Sequence, residues 1–113
     1  MSGFDDYLKS SLAVIEAIRR ALDPERIEAA VAAITAALTQ DKPLLICGNG
    51  GSAADAMHIA AELVGRFRET RRALKAIALG ANAAALTAWS NDYDFPSAFA
   101  REVKAYALPF LDS

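Results

Sequence analysis

Cysteine occurs once, as Cys47, so the chain cannot close a disulfide on itself, which fits a reducing compartment. Histidine and tryptophan also occur once each, as His58 and Trp89. No apolar run reaches the roughly 20 residues that a membrane-spanning helix requires. The opening residues Phe4-Asp5-Asp6-Tyr7 carry neither the basic stretch nor the apolar core of a secretory signal. Basic residues form no block beyond Arg71-Arg72, and a net charge of −2 argues against a broad nucleic-acid footprint. Together these absences predict a soluble cytoplasmic protein with no nucleic-acid and no membrane partner.

What is present is a globular composition: 54% hydrophobic and 23% charged residues over 113 positions, enough for one modest core. Alanine supplies much of the apolar count and favours helices. An apolar stripe through Phe4, Tyr7, Leu8, Leu12, Ile15, Ile18 and Leu22 predicts a first helix. Asp23-Pro24 reads as an N-cap followed by proline at the first helical position. A second helix carries Ile27, Val31, Ile34 and Leu38 on one face. The pair predicts a helical hairpin over 3–40, with an apolar side left to be covered by the sheet or by another subunit.

Lys42-Pro43 breaks the helix, and Leu44 to Cys47 reads as a parallel strand covered on both faces. Gly48-Asn49-Gly50-Gly51-Ser52 then predicts a turn into a third helix capped by Ser52 and reaching Phe67. Its core face is expected at Ala56, Ile59, Ala60, Leu63, Val64 and Phe67, with Cys47 inert at the end of a buried strand. Leu74 to Leu79 predicts a second strand ended by Gly80. A short helix over 83–89, a polar loop over 90–93 and a last helix capped by Asp94 complete the pattern, with Phe95, Phe99, Val103 and Tyr106 expected inside. The resulting divisions are 3–40, a strand–turn–helix unit over 43–67, a second strand with helices over 74–107, and a tail over 108–113. This order is an α/β pattern, yet two strands are few for a parallel sheet.

The chemistry concentrates in the strand–turn–helix unit. A glycine turn opening a helix sets backbone N–H groups beside the positive end of the helix dipole, where an anion can sit. The turn lacks both the dinucleotide fingerprint and the lysine of a P-loop. Asn49 and Ser52 suit the hydroxyls or phosphate of a sugar phosphate better than a nucleotide, although a plain strand-to-helix turn would use the same glycines. His58, Glu62 and Arg66 recur at i, i+4 and i+8 and point together. His58 and Glu62 can offer two donors to zinc or form a solvated helical pair, and two donors do not complete a tetrahedral site. Glu62 can also serve as a base toward a carbon acid. Asn91-Asp92 is either a turn or a hydroxyl-binding pair beside the glycine loop. Trp89 reads as core.

The block from Cys47 to Phe67, with its Gly48-Asn49-Gly50-Gly51-Ser52 turn and its His58/Glu62 pair, closely resembles the phosphoheptose isomerase family of sugar-isomerase (SIS) domain enzymes. Ala76-Ile77-Ala78-Leu79, Leu86-Thr87-Ala88 and Asn91-Asp92-Tyr93 are similar to the same family, over roughly residues 4 to 106. The resemblance implies the N-terminal part of a three-layer αβα fold and conversion of sedoheptulose 7-phosphate to D-glycero-D-manno-heptose 7-phosphate, a step towards bacterial lipopolysaccharide. It implies a homotetramer, substrate contacts from Asn49, Gly50, Gly51, Ser52, Arg66, Asn91 and Asp92, and zinc held by His58 and Glu62, with Glu62 also the catalytic base.

The family's phosphate-gripping serine/threonine loop and its late glutamine and histidine ligands do not appear in these 113 residues. The chain is therefore expected to show little or no isomerase activity by itself. A rival resemblance is to non-catalytic SIS proteins, such as a DnaA-binding replication regulator or a sugar-phosphate sensor. The regulator carries serine where this chain has Glu62, which favours the enzyme.

Overall fold

The computed structural model describes residues 2–107, so the tail expected over 108–113 lies outside the described residues. The chain divides into two compact units, Met1–Ile34 and Thr35–Ser113. Helix α1 (Ser2–Ala21) lies in the first, and α2 (Pro24–Thr39) begins there and ends in the second.

In the first unit, helices form where the sequence pattern places them, but their apolar stripes stay uncovered. Phe4 is 61% exposed and Tyr7 67%, and Leu12, Ile15, Ile27 and Val31 are exposed as well. Local pairs support α1 instead: Lys9 meets Asp5 at 3.0 Å, and Glu16 takes hydrogen bonds from both Arg19 and Arg20. The Arg19 bond is the chief reason that the Glu16 carboxyl lies below its ordinary range. The start of α2 follows its signal, because the Asp23 carboxylate accepts the Glu25 N–H at 3.0 Å.

The second unit is built on two parallel strands, β1 (Leu44–Ile46) and β2 (Ala76–Ala78), in the register Leu44–Ala76, Leu45–Ile77 and Ile46–Ala78. Helix α3 (Gly51–Val64) crosses between them and packs on both. The buried residues are Leu38, Ala56, Ala60, Ala76, Leu79 and Ala98. Most are alanines, whose small side chains let α3 approach the sheet closely. Both strands are shorter than the apolar runs that announced them, and β1 is half-buried rather than covered on both faces. Cys47 lies beyond β1 and is exposed, which corrects its expected place in the interior.

Two arginines close helix ends within this unit. Helix α2 ends with Asp41 at φ 60°, while Lys42 N–H reaches the Ala37 carbonyl and Asp41 N–H the Leu38 carbonyl. This is the Schellman arrangement, in which glycine is usual at the left-handed position. Arg72 supports it by binding the Asp41 carboxylate at 3.0 Å and the Leu38 carbonyl at 2.9 Å. Arg71 does the same for α3, donating to the carbonyls of Glu62 at 2.8 Å, Leu63 at 3.0 Å and Gly65 at 3.2 Å.

After β2, Gly80 turns the chain with φ +81°, and its N–H is held by the Glu102 carboxylate at 2.7 Å. Helix α4 (Ala83–Asp92) is capped by Asn82, as its sequence predicts, through the Ala85 N–H. It runs past Trp89 to Asp92, so the polar loop expected over 90–93 is mostly helix. Within it the Ser90 hydroxyl is accommodated by a bond to the Leu86 carbonyl at 2.7 Å. Asp94 caps the turn leading to α5 (Ala98–Ala107) through Ser97, not the helix itself. Phe99 and Val103 are half-buried on α5 as expected. Phe95 and Tyr106, expected inside as well, are exposed at 46% and 45%. Trp89 is half-buried, donates to the Ser97 hydroxyl at 2.8 Å, stacks on Tyr93 and lies under the Arg101 guanidinium, joining α4 to α5.

Two outcomes follow from these bonds. Arg72→Ala is expected to lower unfolding stability by about 0.5–1.5 kcal/mol, read by urea titration, chiefly because the part-buried Leu38 carbonyl loses its donor while the exposed Asp41 pair contributes little. The Ser97 hydroxyl, and then its N–H, hold the Asp94 carboxyl below the ordinary range, so folding lowers this pKa. The stabilisation is present above the unfolded value of about 3.9 and is lost as pH falls through the lower folded value. Asp94→Ala should therefore lower the Tm at neutral pH and flatten the acid limb of the Tm profile.

Candidate functional site

The site is assembled by the crossover between β1 and α3. The N-cap of α3 is Gly50, not Ser52, with φ 57° and ψ −121°, a backbone conformation that side-chain-bearing residues avoid. Ser52 instead lies in the first turn and ties the loop to itself. Its hydroxyl accepts the Asn49 N–H and donates to the Asn49 carbonyl, both at 2.8 Å. The Ser52 N–H reaches that same carbonyl at 3.1 Å. Two amides of the turn are thus already engaged within it, which narrows the cradle available to an anion.

The three glycines of the turn have different tasks. A Cβ at Gly48 would lie 2.5 Å from the Ser52 carbonyl carbon and 2.6 Å from its oxygen, so the turn closes only with glycine there. A Cβ at Gly50 or Gly51 would meet nothing within 4 Å. The open side of the loop is therefore at Gly50 and Gly51, where a ligand can approach the backbone.

Further along α3, the His58 Nε2 lies 3.4 Å from the Glu62 Oε1. The imidazole is largely exposed at 76%, and the carboxylate side chain is more sheltered at 39%. Both line an open groove of about 520 Å³, together with Asp55, Ile59, Leu63 and Phe67. The groove is apolar apart from this acidic and imidazole edge, the kind of surface against which a carbon acid can meet a carboxylate. Ile59 and Phe67, expected in the core, are 49% and 57% exposed, as is Val64 at 49%; the first two belong to the groove.

The remaining expected residues lie elsewhere. Asn49, Gly50, Gly51 and Ser52 form the turn at the opposite end of α3 from Glu62. Arg66 falls outside the helix, because α3 ends at Val64 with Gly65 as its C-cap. It therefore does not continue the His58–Glu62 stripe and does not line the groove. Asn91 and Asp92 are exposed on the last turn of α4. At about 1.5 Å per residue they stand roughly 13 Å along the helix from Asn82.

Asp55 was missed by sequence reasoning, although it stands three residues before His58 and helical spacing alone would have added it. Arg71 gave no such signal, because its role depends on where a connecting segment folds back. Zinc takes imidazole nitrogen and carboxylate oxygen, so the donor chemistry of His58 and Glu62 fits that ion. Among the described residues no group of three or more His, Cys, Asp and Glu side chains forms a metal cluster. The pair supplies two donors and no more. Among the described residues no helix is long and apolar enough to cross a membrane.

Residues 6–108 match the family described as SIS domain. A phosphoheptose isomerase of Geobacter metallireducens is 52% identical over 100 residues, which cover 88% of this chain and 52% of the relative. One of Crocosphaera subtropica is 71% identical over 66 residues, covering 58% of this chain and 34% of the relative. The structure of a phosphoheptose isomerase from Francisella tularensis superposes with a TM-score of 0.84 at 35% identity, over 92% of this chain and 54% of that one. The corresponding Neisseria gonorrhoeae structure gives 0.77 at 35% identity over 92% and 53%. The chain thus spans about half the length, or less, of the curated relatives it matches.

Gly48→Ala and Gly51→Ala separate folding from ligand approach. Gly48→Ala should cost about 1–3 kcal/mol of stability, because backbone atoms must yield. Gly51→Ala should leave the thermal midpoint unchanged or slightly raised, since alanine favours a helix start over glycine. Differential scanning calorimetry on both variants checks the contrast.

Proposed function

The chain belongs to the SIS domain family, and from that premise we propose that its strand–turn–helix unit is the front part of a sugar-phosphate isomerase site. The reaction is the interconversion of sedoheptulose 7-phosphate and D-glycero-D-manno-heptose 7-phosphate. The observation that carries this reading is the Glu62 carboxylate, sheltered beside His58 at the edge of an apolar groove. A carboxylate so placed can take a proton from C1 of the ketose, giving a 1,2-enediol, and return it to C2 to form the aldose. The hydroxyl proton on O1 must pass to O2 through a second acid, a role that the family resemblance gives to a histidine beyond those in this chain. Gly50 and Gly51 offer open backbone to the substrate, and Asn49 and Ser52 hold that backbone in place. Asn91, Asp92 and Arg66 are proposed to reach substrate only in an assembled site, since none of them lines the groove.

His58 and Glu62 would hold zinc, which when bound supplies polarisation of the substrate carbonyl oxygen. The exposed stripe of α1, with Phe4, Tyr7, Leu12 and Ile15, supports assembly with further copies of the chain, four by family resemblance, since so continuous an apolar surface favours a partner. Cytoplasmic location and a place in heptose precursor synthesis for lipopolysaccharide complete the proposal.

Because His58 and Glu62 make only part of the site, the purified 113-residue chain should turn over sedoheptulose 7-phosphate little or not at all. Measurable turnover by that chain would contradict this point. Grafting residues 44–79 into the Geobacter metallireducens relative, in place of its equivalent segment, tests the functional reading itself. The graft should remain an isomerase, and Glu62→Gln within it should lower kcat by about 10²–10⁴-fold. A folded graft whose turnover survives Glu62→Gln would refute the assignment of the base.

A further inference from the structure

The geometry points to Arg71 as a positioning residue for Glu62. This rests on the reading of Glu62 as the base, and it adds how the carboxylate is kept in place. Glu62 lies in the last turn of α3, where helix carbonyls have no intrahelical partner and the turn is free to fray. Fraying there would swing the carboxylate away from His58 and out of the groove.

Arg71 closes that turn. Its Nη2 donates to the carbonyl of Glu62 itself at 2.8 Å. Its Nη1 donates to Leu63 at 3.0 Å, Gly65 at 3.2 Å and, on its own segment, Arg72 at 3.0 Å. The Leu63 carbonyl also accepts the Leu74 N–H at 3.2 Å, and the Gly65 N–H returns to Ala61 at 2.9 Å. One planar guanidinium thus gathers the end of α3 and the start of the segment leading to β2. Its positive charge also lies at the negative end of the helix dipole. Lysine can supply the charge but not the fixed fork of donors. Arg71 is itself half-buried and sits outside the groove, so it acts through Glu62 and not on the substrate.

Amide hydrogen exchange on the 113-residue chain tests this directly. Arg71→Ala should speed exchange of the Val64 and Gly65 amides by about tenfold or more, while amides of β1 and the 48–52 turn hold their rates. The NMR signals of the His58 ring and the Glu62 carboxyl carbon should move with it, and added guanidinium ion should draw both back towards wild type. Arg71→Lys keeps the charge in a chain that folds more readily, and should leave the same amides loosened. Wild-type exchange in Arg71→Lys, or unchanged His58 and Glu62 signals in Arg71→Ala, would overturn the proposal. Uniformly faster exchange throughout the chain without guanidinium rescue would also overturn it, since that marks a general structural role. None of these readouts depends on catalysis, so they stand or fall apart from the Glu62→Gln kinetics of the graft.

Discussion

Parallel pairing of Leu44–Ile46 with Ala76–Ala78 is the constraint on which the rest of the second unit depends. Two parallel neighbours cannot be joined by a hairpin; the chain must leave the end of one strand and travel back before it can enter the next. Helix α3 is that return. The necessity brings the exit of β1, a tight turn and a helix N-terminus together at one place. It also sends His58 and Glu62 along the return path, towards the connection to β2. Glycine loop and carboxylate are therefore two ends of one element, and their separation is set by helix rise rather than by loop adjustment.

Close approach of α3 to a narrow sheet determines what can be buried. Ala56 and Ala60 on α3 and Ala76 on β2 are buried where helix and sheet pack, and side chains of this size do not fill a deep interior. Several large apolar side chains of the helix remain at the surface. Ile59 and Val64 are exposed although their spacing placed them with the alanines, and Phe67 lies beyond the end of the helix. A periodic stripe tells which residues share a helix face; it does not tell whether that face meets a sheet, a groove or another chain. The same ambiguity affects α1, whose stripe reads like a core face and is exposed among the described residues.

Local signals survived where a single residue determines the outcome. Asp23 before Pro24, Asn82 before α4 and the chain reversal at Gly80 all act within a few residues, and each was legible in the sequence. Ser52 misled because serine at a helix start suits both the cap and the first turn, and Gly50 takes the cap through a backbone conformation that composition cannot reveal. The 90–93 segment misled for a related reason. Ser90 and Asn91 favour turns on average, yet here both stand inside the helix, with the Ser90 hydroxyl on the carbonyl four residues back. His58 and Glu62 were legible as a pair because helical spacing alone brings them together. Arg71 and Arg72 were not, since their partners are reached through tertiary folding and stand up to 34 positions away.

Those two arginines show how a small domain can hold its functional helix without a large core. Where buried area is scarce, the free ends of helices carry a larger share of the instability, because each unpaired carbonyl there competes for water. Adjacent arginines in one connection address two such ends, Arg72 at α2 and Arg71 at α3. Charge-assisted hydrogen bonds from the connection before β2 are thereby added to the apolar contacts that α3 makes with the sheet. Such bonds are directional, so they fix the rotation of the last turn as well as its stability. For Glu62 in the role of base proposed above, rotation matters more than depth of burial. The position of Glu62 is therefore governed by the chain that follows α3 as much as by the glycine turn that begins it.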